Sequence, residues 1–77
     1  MPHIALKMLE GRTEEQKQRA AEKLTQALSE ALGCSTSHIT LSIQEYSALE
    51  WQGIFRSDIK ENPGLVIEPK YEPKDLL

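Results

Sequence analysis

Apolar residues recur along this chain with alternating periods, and each change of period marks a new element. From His3 to Leu9 the period is two: Ile4, Leu6 and Met8 share one face, while His3, Ala5 and Lys7 share the other. That is the signature of a strand, and Gly11 closes it. From residue 13 the period lengthens. Thr13-Glu14-Glu15-Gln16 matches a capping box, in which a threonine hydroxyl and a glutamine side chain satisfy free N–H groups at a helix start. The two glutamates fall in the first turn, where the helix dipole favours negative charge. Ala20, Leu24, Ala27, Leu28 and Ala31 then recur at helical spacing and form one apolar stripe. So many alanines invite a close neighbour. Gly33 stands where a left-handed residue would end the helix, so the pattern predicts a helix over residues 13–32.

Alternation returns after the polar connection Ser35-Thr36-Ser37. Ile39, Leu41 and Ile43 oppose Thr40, Ser42 and Gln44, which predicts a second strand. Strand, long helix and strand make a βαβ unit, with parallel strands and a right-handed crossover. Between Ser47 and Lys60 the spacing is helical again, with Ala48, Trp51, Phe55 and Ile59 three or four apart. Asn62-Pro63-Gly64 is a turn. Leu65-Val66-Ile67 predicts a small strand. Residues 68–77, which hold Pro69 and Pro73, predict an extended or loosely ordered end. The expected fold class is α/β (α+β), as a single domain over residues 1–77 with a short helix in its C-terminal part.

This layout requires a partner. A parallel sheet is ordinarily covered on both faces, and one helix covers one. The second face and an open strand edge remain. A second copy joined edge to edge or face to face removes both problems, so a homodimer is expected.

Composition narrows the function classes. Seventy-seven residues carry a net charge of -3 with acidic and basic side chains intermixed. That excludes the clustered basic surface of a nucleic-acid binder. No apolar run approaches the ~20 residues needed to span a bilayer, and no signal-peptide pattern opens the chain, so no membrane partner and a cytoplasmic location are expected. Cys34 is the single cysteine, so no disulfide forms within the chain. His3 and His38 have no cysteine or carboxylate at ligand spacing, which argues against a metal site.

Candidate chemistry rests on four residues. Pro2 follows the initiator methionine. Removal of Met1, which a small second residue permits, would leave Pro2 as a secondary amine at the start of the first strand. An α-amino group ordinarily titrates at about 7.7–8.0, and burial or a neighbouring cation lowers that value. Such an amine is a general base near neutral pH. Arg12, between the strand and the helix cap, has the fork geometry that binds a carboxylate in bidentate fashion. Trp51 and Phe55 offer an apolar wall, or core.

Taken together, the opening Met-Pro, the block Leu9-Glu10-Gly11-Arg12-Thr13-Glu14-Glu15-Gln16-Lys17, the β-α-β spacing and the strand end Ile43-Gln44-Glu45 resemble the tautomerase superfamily. The resemblance is to the short 4-oxalocrotonate tautomerase-like branch, and it covers most of residues 2 to 59. It implies a cofactor-independent keto-enol isomerase whose N-terminal proline, here Pro2, is the catalytic base and acid. It assigns a substrate carboxylate or carbonyl to Arg12 and an apolar wall to Trp51, with Phe55 beside it, and it implies chains paired into a four-stranded sheet. Members acting on dicarboxylates carry a second arginine on the second strand, where this chain has Thr40. One arginine and an aromatic wall suit a small or aromatic 2-keto or enol monoacid. The segment Glu50-Trp51-Gln52-Gly53-Ile54-Phe55 resembles the dimeric sub-branch. Two other readings fit the same residues. One is a non-catalytic oligomeric module that binds ligand or protein through Trp51 and Phe55. The other is a proline-based decarboxylase or hydratase of unsaturated acids, with Glu45 activating water.

Overall fold

A computed structural model describes all 77 residues. Strand β1 (His3–Leu9) and strand β2 (Thr40–Tyr46) flank the long helix α1 (Glu14–Leu32) and pair in parallel. The register sets His3 beside Thr40, Leu6 beside Ile43 and Leu9 beside Tyr46. Both strand periods therefore survive into the sheet: Ile4, Leu6, Met8, Leu41 and Ile43 share one face, and His3, Ala5, Lys7, Thr40 and Ser42 share the other.

Helix α1 starts as the capping box requires. The Gln16 N–H donates to Thr13 Oγ1 at 3.1 Å, and the Thr13 N–H donates to Gln16 Oε1 at 2.9 Å. The helix ends at Gly33, whose φ of 68° lies in the left-handed region. It rests on the face of β2 that carries Leu41 and Ile43. Lys17 clamps the two elements by reaching both Glu14 and Glu45 at 2.8 Å. Those two carboxylates raise the Lys17 pKa above its ordinary value.

A second capping box, Ser47 with Glu50, opens helix α2 (Ala48–Ile54). The Ser47 N–H and hydroxyl hold the Glu50 carboxyl below its usual range. From Phe55 to Lys60 the helix widens into a π turn, and the Glu61 N–H reaches back five residues to the Arg56 carbonyl at 2.9 Å. Asp58, on this wider turn, forms an ion pair with Lys7 on the sheet face that α1 leaves open.

Two sequence expectations are corrected beyond residue 60. Leu65-Val66-Ile67 forms no strand. The Asn62 side chain and carbonyl close the turn onto Gly64 and Leu65, and Val66 and Ile67 stand 90% and 82% exposed without a strand partner. The end of the chain is not loose either. Residues Pro73–Leu76 form a 3₁₀ turn, and the Gln52 side-chain amide donates to the Pro73 carbonyl at 2.7 Å. Pro73 suits the first position of this short turn, and side chains anchor the segment.

The chain is thin, 39 × 31 × 18 Å, and Trp51 is its one buried residue. Its radius of gyration is 14.0 Å, against about 11.5 Å for a compact chain of this length. Its accessible surface is 5901 Å², against roughly 4,700 Å² for a folded monomer of this mass. The excess exceeds the ~800 Å² that one partner typically buries in a standard interface. Leu24 and Leu32 of α1 are 39% and 61% exposed, and the outer edges of β1 and β2 have no backbone partner.

Candidate active site

Pro2 extends the sheet by one residue. Its carbonyl accepts a hydrogen bond from the Thr40 N–H at 3.2 Å, which fixes the chain just before β1. Beside it, the His3 ring bridges to Thr40 Oγ1 at 2.6 Å and Ser42 Oγ at 3.2 Å. Thr40, which stands where members acting on dicarboxylates carry a second arginine, thus has its hydroxyl engaged by His3.

Arg12 lies at the other end of β1. Gly11 adopts a φ of 119°, a conformation that side chains other than glycine rarely take, and this turn delivers Arg12 just ahead of the α1 cap. Its guanidinium is exposed, and no carboxylate pairs with it. It borders an open, shallow cavity of about 300 Å³ whose walls include Met8, Leu9, Trp51, Tyr71 and Leu76. Lys7 also reaches this cavity, but its charge is matched by Asp58. That hydrogen bond raises the Lys7 pKa and lowers that of Asp58. Arg12 is accordingly the uncompensated cation of the cavity.

Trp51 supplies the back wall. Its ring meets Tyr46 edge-on at 6.3 Å, and its indole N–H donates to the Tyr71 hydroxyl at 2.9 Å. Phe55, expected beside it, faces elsewhere. It meets Tyr71 edge-on at 5.5 Å and lines a separate, larger depression of about 760 Å³ with Arg56, Ile59 and Pro69. Tyr71 stands between the two hollows. Nothing in the sequence marked Tyr71, because an aromatic residue in a proline-rich tail belongs to no periodic pattern.

The arrangement therefore joins Arg12 to Trp51 and separates both from Pro2. Seven strand steps at ~3.3 Å put roughly 23 Å between Pro2 and Leu9. Glu45, considered as an activator of water, sits at the same far end of β2 with its carboxylate held by Lys17.

Residues 2–52 match the family model described as tautomerase enzyme. A probable tautomerase of Bacillus cereus is 53% identical over 47 residues, which cover 61% of this chain and 77% of that protein. A 2-hydroxymuconate tautomerase of Pseudomonas putida is 43% identical over 61 residues, 79% of this chain and 95% of its own. Among solved structures, YwhB, a homologue of 4-oxalocrotonate tautomerase, superposes with a TM-score of 0.60 at 45% identity. That match covers 61% of this chain and 77% of YwhB. No helix is long and apolar enough to cross a membrane.

Proposed function

The chain belongs to the tautomerase family, a group of isomerases that interconvert keto and enol forms, and from that premise we propose that Pro2 is its base and a 2-keto or enol monocarboxylic acid its substrate. With Met1 removed, the lone pair of the Pro2 nitrogen takes the proton of the enol hydroxyl. The oxygen becomes a carbonyl, and its electrons shift through the double bond to the neighbouring carbon. That carbon then takes the proton from the prolinium. The amine is regenerated, and no cofactor enters the balance.

The observation that carries this reading is the uncompensated Arg12 guanidinium beside a shallow, largely apolar hollow walled by Trp51. One cation holds one carboxylate, and the apolar walls accept a small or aromatic substituent. Thr40 offers no second charge for a dicarboxylate.

Base and clamp stand at opposite ends of one strand, so a single chain does not complete this site. Antiparallel pairing of the free β1 edge with that of a second copy reverses the strand. Centred near Leu6 or Lys7, it brings Pro2 of one protomer opposite residues 10–12 of the other. The guanidinium of Arg12 from the second copy then disfavours the ammonium form of Pro2 and lowers its pKa. A homodimer also covers the open edge and the surplus surface.

The test compares protein with Met1 removed against protein that retains it, on phenylenolpyruvate, with intact mass verifying each terminus. Retention of Met1 makes the Pro2 nitrogen an amide, and most activity should disappear with an unchanged circular dichroism spectrum. Pro2→Ala with methionine removed should keep a residual rate, because a primary amine is still a base. Equal turnover by the Met1-retaining protein would refute the mechanism.

A further inference from the structure

The family match ends at residue 52, yet the chain continues to Leu77 and its end returns to the Arg12 cavity. Three contacts hold it there. The Gln52 amide donates to the Pro73 carbonyl at 2.7 Å. The Tyr71 ring packs edge-on against Phe55. The Trp51 indole donates to the Tyr71 hydroxyl at 2.9 Å. The last contact has a definite polarity. An indole N–H can only donate, so the Tyr71 oxygen is the acceptor and its own O–H must point elsewhere. No acceptor for that proton occurs in the chain, although Tyr71 forms part of the cavity wall. The cavity is thus bordered by a hydroxyl whose O–H is unpaired within the chain and by an unpaired guanidinium, with Leu76, Met8 and Leu9 as apolar wall.

We infer that the segment from Tyr71 to Leu77 completes the substrate cavity: the Tyr71 O–H donates to the carboxylate held by Arg12, and Leu76 walls the substituent of the acid. This deepens the reading above and rests on it. The tyrosine supplies a second, neutral contact to the single carboxylate. That arrangement rewards a monoacid and gives no attraction to a second charge. Residues 53–77, outside the family match, thereby set the size of the substrate.

Trp51 is the only tryptophan in the chain, so its fluorescence reports on the cavity without turnover. The experiment titrates the protein with 3-phenylpropanoate and with 3-phenylpropan-1-ol, a neutral analogue of the same shape. For Tyr71→Phe, affinity for the acid should fall roughly tenfold or more, as for loss of a bond to a charged group, while affinity for the alcohol changes less than about twofold. Equal losses for both ligands would make Tyr71 a mere anchor of the tail and overturn the assignment, as would no loss at all. Leu76→Ala provides an independent arm. It should reduce the preference for 3-phenylpropanoate over propanoate, and an unchanged preference would remove Leu76 from the wall. Turnover of phenylenolpyruvate by the processed wild-type protein, measured in parallel, separates the two ideas. A wild type that turns over but whose Tyr71→Phe variant shows no selective loss refutes the role of Tyr71 alone; a wild type without turnover refutes the role of Pro2.

Discussion

The indole N–H of Trp51 and the phenol oxygen of Tyr71 lie 2.9 Å apart, a hydrogen bond that ties helix α2 to the end of the chain across twenty residues. It makes Trp51 both the centre of the small core and the anchor of the tail. Trp51→Ala should therefore cost about 3 kcal/mol, the lower end for a buried tryptophan, because its neighbours are half-exposed and can close in. Urea denaturation measures this loss, and limited proteolysis should cut residues 65–77 sooner. In the processed enzyme the same change should move the rising limb of the pH–rate profile upward. In the proposed dimer the Trp51 wall of one copy faces Pro2 of the other, and removing it admits water to the prolinium and lets its pKa climb. A profile that stays in place would leave Trp51 a core residue only.

Arg12→Ala removes a side chain without a partner in its own chain, so the fold should be indifferent to it. Loss of a charge-assisted contact to substrate corresponds to about 1.5–3 kcal/mol, or roughly ten- to 150-fold in kcat/KM. Steady-state kinetics on a single enol acid, with a thermal melt as control, tests both halves. Unaltered kinetics would make Arg12 an ordinary surface arginine.

Gly33 carries a φ of 68°, and a Cβ built there meets no atom within 4 Å. Any penalty for a side chain is thus one of backbone conformation. Gly33→Ala should cost about 1 kcal/mol, and Gly33→Asn noticeably less, since asparagine tolerates the left-handed region. Equal melting temperatures for the two variants would contradict this.

Asp58 is held below its ordinary value of 3.8, first by the Lys7 ammonium and then by the Ser57 hydroxyl. A carboxyl with a depressed folded-state pKa lends stability above its unfolded value. That stability fades as pH falls through the folded value. Asp58→Asn should therefore melt below wild type at pH 7, and the two curves should begin to converge below about pH 4 and meet only below the folded value. Parallel curves across that window would show the pair to be energetically silent, as many exposed ion pairs are.

The βαβ unit was legible because each of its signals is local. Alternation fixed both strands, and Thr13, Gln16 and Gly33 fixed the helix ends to within a residue. The site was legible only in part. Arg12 and Trp51 border the same cavity, although they are 39 positions apart, but Phe55 turns to the other side of Tyr71. Helical spacing puts Trp51 and Phe55 on one face. It does not foresee that the helix widens after Ile54, nor that a tail residue will wedge between the two rings. Tyr71, Leu76 and the Lys7–Asp58 pair are long-range encounters between segments with no shared period, so no local pattern announces them.

Burial of a single residue also makes concentration a variable of state. In the homodimer proposed above, a second copy supplies the missing core, so unfolding and dissociation become one equilibrium and mass action governs both. Each tenfold dilution then removes about 1.4 kcal/mol per dimer. The melting temperature should fall steadily as the protein is diluted. A cell that makes little of this protein would hold less of it folded, whatever the quality of each chain.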